Sequence, residues 1–330
     1  MPKSKFSDEI FAEYLADDPV FERYRPSLLG INPHTATIWP TLTGSRQLPL
    51  HERIELDTPD GDFLEADVMV KDENAPLVTI LHGLEGSTER YYVAELDQTL
   101  VKNGFSVIAL NFRSCGSRMN ETRRFYHSGE TGDFSHLLNW VKSEFPNSKL
   151  FAVGFSLGGN VLAKSLGEER DSHLLDAAVV VSAPYDLERS AIEIASGFNR
   201  IYEFRFLRQL KQKLKKKREP FPDLPNYRGW SMWEFDDQVT APIFQFEGAR
   251  DYYNKSSSAQ YFPKIDRPTL LLHSLQDPFC PIQSIPMKIV RENPKISHLF
   301  TRYGGHVGFP STPKGWVNRQ IAAFFAYHCK

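Results

Sequence analysis

From residue 77 onward the chain alternates short, largely apolar runs with longer amphipathic stretches. Leu77 to Leu81, Phe105 to Leu110, Lys149 to Phe155, Ala177 to Val181, Thr269 to His273 and Ser297 to Arg302 are the short runs. They are too brief for helices and continuous enough to be buried on both faces of a parallel sheet. Between them, Tyr91 to Lys102 ends at Asn103-Gly104, Gly132 to Phe145 ends at Pro146, and Ser156 to Gly167 carries a third helical pattern; Thr312 to Tyr327 predicts a last helix. Upstream, His51 to Asp57 and Asp62 to Val70 flank the turn residues Thr58-Pro59-Asp60-Gly61, a hairpin pattern, and a proline-rich lead-in precedes them (Pro26, Pro33, Pro40, Pro49). Strands alternating with helices of this length make βαβ units, so the class is α/β with a mostly parallel sheet and right-handed crossovers.

The rhythm stops between about Ala183 and Arg267, a stretch too long for one crossover and rich in aromatics such as Tyr202, Phe206, Trp230, Trp233 and Phe244. An inserted helical cap is expected over 183–267. It divides a core made of 51–182 and 268–330, with 1–50 as an extension packed on that core.

Charge and cysteine content narrow the partners. The 330 residues carry 39 Lys+Arg against 41 Asp+Glu, a net charge of −2, which argues against a polyanion-binding or nucleic-acid-binding protein. Cys115, Cys280 and Cys329 form no Cys-x-x-Cys or Cys/His metal spacing, so neither a disulfide framework nor a structural zinc is indicated. Met1 to Leu15 lacks the continuous apolar region of a signal peptide, and no apolar run reaches the roughly 20 residues that span a bilayer. The expectation is a soluble cytoplasmic protein that needs no metal or organic cofactor.

The chemistry concentrates at Gly154-Phe155-Ser156-Leu157-Gly158, between a buried-strand run and a helical pattern. That is the context of a nucleophile elbow, in which glycines two residues either side of the serine make room for a strained strand-to-helix turn. A serine hydroxyl needs a base, and the base an orienting acid. His306, in Gly304-Gly305-His306-Val307-Gly308 after the last strand, is the candidate base. Asp277, in Ser274-Leu275-Gln276-Asp277-Pro278 after the Thr269 run, is the candidate acid; Asp186 and Asp251 compete with it, with helix-cap and turn roles as their plain readings. The backbone N–H groups of Leu157 and of Leu84, in His82-Gly83-Leu84-Glu85-Gly86, are the candidate oxyanion donors. His82, Gly83, His127 and Trp230 are candidate substrate contacts, although His82 also reads as a loop-orienting residue and His127 as a structural one. Cys115 reads as a small buried residue.

Several motifs together resemble one family. Asn32-Pro33-His34 with Ile38-Trp39-Pro40, His82-Gly83-Leu84-Glu85-Gly86-Ser87, Asn111-Phe112-Arg113, Tyr126-His127-Ser128-Gly129, Gly154 to Asn160 and Gly304 to Phe309 are similar to the YheT-like branch of the α/β-hydrolase superfamily, from about Asn32 to the C-terminus. The resemblance implies an eight-stranded, mostly parallel sheet, a Ser156, Asp277, His306 triad and carboxylic ester hydrolysis. Relatives include bacterial esterases, animal monoacylglycerol and phospholipid lipases, and yeast enzymes that make or cleave medium-chain ethyl esters. One departure is visible: the family pattern Asn-Phe-Arg-Gly-Cys-Ser-Gly stands here as Asn111-Phe112-Arg113-Ser114-Cys115-Gly116-Ser117.

The expected function is therefore a serine esterase or lipase cleaving short- to medium-chain esters through an acyl-enzyme on Ser156. The alternatives are an alcohol O-acyltransferase using the same intermediate and a non-catalytic lipid- or protein-binding member of the fold. The basic run from Arg205 to Arg218 is read as a solvated helix face with Phe204, Leu207, Leu210 and Leu214 as its buried stripe; the competing reading is weak contact with an anionic membrane surface.

Overall fold

The structure is a computed structural model that describes residues 21–45, 51–168 and 174–330. Its strands are β1 (Glu52–Asp57), β2 (Phe63–Met69), β3 (Leu77–Leu81), β4 (Ser106–Asn111), β5 (Leu150–Phe155), β6 (Ala177–Val181), β7 (Thr269–Ser274) and β8 (Ile296–Thr301). They form one sheet in the order β1-β2-β4-β3-β5-β6-β7-β8, in which β2 is antiparallel to both β1 and β4 and all other neighbours run parallel. This is the α/β class expected, with eight strands. Strands β3 to β7 are buried along their whole length, as their largely apolar runs require.

Alternate side chains feed two cores. Leu77 and Leu81 join the face covered by α3 (Gly132–Glu144) and α4 (Leu157–Glu168); Val78 and Ile80 join the face covered by α2 (Tyr91–Lys102) and by the final helix Trp316–His328. The final helix starts later than Thr312 because Gly315 takes φ +84° immediately before it. The hairpin turn is anchored by the buried Arg113, whose guanidinium pairs with Asp60, Asp62 and Asp133.

Within the proline-rich lead-in, Pro33 and Pro40 lie in a helix, α1 (Pro33–Thr43), that the sequence reading does not assign, while Pro49, with the rest of 46–50 and with 1–20 of the expected extension, lies outside the described residues. Asn32 caps it, accepting from the His34 and Thr35 N–H groups, and Pro33 sits where a helix has no use for an N–H. Between β6 and β7 come α5 (Leu187–Ile194), α6 (Arg200–Lys217), a bent helical run over 232–244 interrupted by the π turn Asp236–Thr240, and α7 (Ala249–Ser256). These helices hold their own small apolar clusters, Leu207 with Leu214, Tyr227, Phe235 and Val239 in one, Leu187 with Ala249, Tyr252 and Tyr253 in another. Tyr185, Phe262 and Ile265, at the two ends of the insertion, pack instead in the main core. Among the described residues no helix is long and apolar enough to cross a membrane.

Candidate active site

β5 ends at Phe155 and α4 begins at Leu157, so Ser156 alone makes the turn, at φ +53°. The flanking glycines are a steric necessity. A Cβ on Gly154 would lie 2.4 Å from the Gly158 carbonyl oxygen, and one on Gly158 would lie 2.6 Å from the carbonyl oxygens of Leu81 and His82. Asn160, in the first turn of α4, ties the elbow to its surroundings: its side-chain amide donates to the Ser128 and Ser256 carbonyls and accepts from the Ser258 N–H.

His306 meets Ser156 across the carboxyl ends of the strands, where parallel sheets keep their sites. Its Nε2 is 2.8 Å from Ser156 Oγ, and its Nδ1 is 3.0 and 3.1 Å from the two oxygens of Asp277. Asp277 follows β7 and its Oδ1 also accepts the N–H groups of Phe279 and Cys280. Burial works to raise its carboxyl, but the His306 ring and these donors prevail and hold it below the usual carboxylate range. The Phe279 ring lies against the imidazole, centroids 4.4 Å apart. The loop carrying His306 rests on α1: the His306 N–H donates to Thr37 Oγ, and Cβ atoms on Gly305 or Gly308 would run into Thr37, Pro33 and Ala36. The two competing acids are elsewhere engaged: Asp186 caps α5, and Asp251 pairs with Lys255 on α7.

One ligand-type atom from each of Asp277, Cys280 and His306 falls within 4.8 Å of the others, the arrangement a metal ion could bridge. Burial pushes the Cys280 thiol well up, away from the thiolate that a metal takes.

The loop after β3 faces the serine, since a Cβ on Gly83 would come within 3.1 Å of Ser156 Cβ. Within that loop the Gly83 N–H donates to the Tyr92 hydroxyl, the Glu85 N–H to the Tyr126 hydroxyl and the Gly86 N–H to the Gly83 carbonyl. Leu84 and Leu157 both line a cavity beside the serine, and the Leu157 N–H, as the first of a helix, lacks an intrahelical acceptor. His82 is not a substrate contact. It is fully buried, with Nδ1 against the Gly83 carbonyl and Nε2 accepting the Phe112 N–H, and burial pulls its pKa down to about 3.

A family model described as alpha/beta hydrolase fold matches residues 76–310. The chain belongs to the α/β-hydrolase fold family. It is 36% identical over 308 residues to the Escherichia coli protein named "Putative esterase YheT", covering 88% of this chain and 89% of that one. It is 30% identical over 289 residues to the monoacylglycerol lipase of Saccharomyces cerevisiae, covering 83% of this chain and 63% of the yeast protein. Among solved structures it is similar in fold to the Pyrococcus furiosus esterase Pf2001, with a TM-score of 0.57 at 18% identity over 86% of this chain and 99% of that one.

In this hydrolase the altered motif after β4 is accommodated locally. Ser114 stands at φ +61°, a conformation that glycine adopts at lower cost, and its N–H donates to Asn120. A Cβ at Gly116 would overlap the Glu65 carboxylate, which instead binds the Ser117 N–H and hydroxyl. The exchange of glycine and serine thus fits a glutamate on β2.

The hydrolase also holds an apolar cavity between core and cap, about 600 Å³ of empty space including its mouth, which reaches Leu84 and Leu157 and extends past Phe235, Val239, Ile243 and Phe244. His127 lines it as a neutral ring: burial pulls its pKa down to about 3, Nδ1 accepts the Gly129 N–H, and the ring lies against Phe244 and Tyr252. Trp230 does not line it. This tryptophan is 73% exposed, on the outside of the cap with the Lys211 ammonium over its ring.

Among the polar groups of this cavity that sequence reading missed are Lys213 and Asp236. Lys213 leaves the basic face of α6 and turns inward to Glu85, the residue after Leu84, at 2.7 Å, with Cys115 Sγ 3.1 Å away; Cys115 is half-buried. The helices inserted between β6 and β7 are thereby pinned to the loop after β3. Removing one partner of a buried pair strands the other, so Lys213→Met is expected to cost about 3 kcal/mol, and Glu85→Gln added to it should recover part of the loss, read from urea midpoints. Asp236 accepts from Thr240 and Tyr253, and burial raises its pKa to about 6. The folded protein then keeps a proton that the unfolded chain releases near its ordinary value of 3.8, so stability falls as pH rises through the window up to about 6. Asp236→Asn, uncharged throughout, is expected to gain on the wild type across that window, checked by urea midpoints at about pH 4 and about pH 7.

Proposed function

We propose that this chain hydrolyses short- to medium-chain carboxylic esters through an acyl-enzyme on Ser156. The observation that carries the reading is the unbroken relay Ser156 Oγ, His306 Nε2, His306 Nδ1, Asp277 on a serine held at φ +53°. With the Nδ1 proton directed to Asp277, Nε2 is the basic nitrogen. It takes the Ser156 proton as Oγ attacks the ester carbonyl; the Leu84 and Leu157 N–H groups receive the oxyanion; and Nε2–H passes its proton to the departing alcohol. Water then repeats the sequence on the acyl-enzyme, with His306 as base.

Similarity to an esterase-named bacterial protein and a yeast monoacylglycerol lipase supports the ester class, and the apolar cavity beside the oxyanion donors supports an acyl chain as the bound group. A p-nitrophenyl ester series from acetate to palmitate tests it. Turnover is expected to peak at one chain length, and a bulkier wall, Val239→Phe, should shift the peak to shorter chains. Flat, residual rates along the whole series would remove the proposal's basis.

A further inference from the structure

The basic helix of the cap presents a composite surface that the ester chemistry does not use. In α6 the exposed positions are Arg200, Ile201, Phe204, Arg205, Arg208, Gln212, Lys215 and Lys216, spaced three and four apart along one side, while Tyr202, Leu207, Leu214 and Lys217 are buried on the other. Phe204 therefore does not belong to the buried stripe expected for it; it is 61% exposed and Ile201 58%. That outward side opens on Arg200, has two apolar residues in its first turns, then four more cations, and no acid among its exposed positions. A chain of net charge −2 has no compositional reason to gather them there.

The apolar end of this face continues onto a second element. Phe198, 51% exposed just before α6, packs against His34 of α1 with centroids 4.4 Å apart, and the exposed apolar residues of α1 and its approach, set among the polar Asn32, Thr35 and Thr43, are Leu28, Leu29, Ile31, Ile38, Trp39 and Leu42. The same junction adjoins the site: His34 lies against Tyr202, Tyr202 against Phe279, and Phe279 against His306.

We propose that this face docks on an anionic lipid bilayer, with Phe198, Ile201 and Phe204 in the boundary between headgroups and acyl chains and Arg208, Lys215 and Lys216 among the headgroups. The two chemistries side by side select this occupant. A bilayer surface takes both apolar side chains and cations. A polynucleotide would leave the apolar end in water, and a second copy related by a two-fold axis through the basic stripe would set like charges against each other. Docked this way, the enzyme would have its cap and the His306 end of its site next to the lipid phase.

Co-sedimentation of the full chain with vesicles separates the arms. Binding is expected to phosphatidylcholine vesicles containing phosphatidylserine, to be weak on phosphatidylcholine alone, and to fall with added salt. Each cation near an anionic surface contributes about fivefold, so Arg208→Gln, Lys215→Gln and Lys216→Gln together should lower partition about a hundredfold. Phe204→Ser should lower it on both vesicle types. All four side chains are outward, so unchanged hydrolysis of a soluble ester serves as the folding control. Ser156→Ala should bind like the wild type, which keeps this test independent of the proposed chemistry. No binding to phosphatidylserine vesicles, or equal binding by wild type and variants, overturns the proposal; a dimer that dissociates in Phe204→Ser without vesicle binding overturns it in favour of a second copy.

Discussion

Replacing Ser156 by alanine is expected to lower kcat on the best ester about a millionfold while leaving the fold intact. The size follows from what the hydroxyl does in the proposed mechanism: its oxygen becomes covalently bonded to the acyl group, and among the described residues no other side chain stands at 2.8 Å from His306 Nε2 in its place. Alanine adopts φ +53° no less readily than serine, and the glycine clearances around the elbow are unaffected. His306→Ala should cost about the same, and the double variant no more than either, because the residues act as one unit. Residual catalysis should come from the Leu84 and Leu157 donors and from binding. Kinetics of the three variants, with unfolding midpoints as control, check this.

Asp277→Asn is expected to lower kcat about ten-thousandfold with KM little changed. The reason lies in its other hydrogen bonds. The Phe279 and Cys280 N–H groups require an acceptor at Oδ1, so an asparagine keeps its carbonyl there and turns its NH2 toward His306 Nδ1. The imidazole must then accept at Nδ1 and carry its proton on Nε2, which faces Ser156 with a donor where a base is needed. The same change at Asp186 or Asp251 should leave kcat unaltered, since both are engaged at helices away from the imidazole.

Strands β3 to β7 were legible almost to the residue, because a strand buried on both faces is marked by a mostly apolar run. The positions of Ser156, Asp277 and His306 were legible for a related reason: each follows a readable strand at its carboxyl end. The first helix was not. Pro33 and Pro40 argue against a helix when counted, although Asn32-Pro33 is a start signal, and only the structure reveals that Thr37 holds the His306 loop. Inward and outward aromatics look alike in sequence, which is why Trp230 was misassigned to the pocket. The charge run 205–218 hid a second distinction: Lys213 and Lys217 sit four apart on the buried side, where Lys217 donates to the Asn120 carbonyl. Asp236 carried no motif; its role depends on a π turn that composition does not announce.

The central claim is that Ser156 is an activated nucleophile, and covalent labelling with a fluorophosphonate, read by peptide mass, tests it most directly. The account predicts one adduct, on the peptide containing Ser156, absent in Ser156→Ala and suppressed in His306→Ala. An enzyme that turned over esters while the label fell on another residue, or on none, would contradict it.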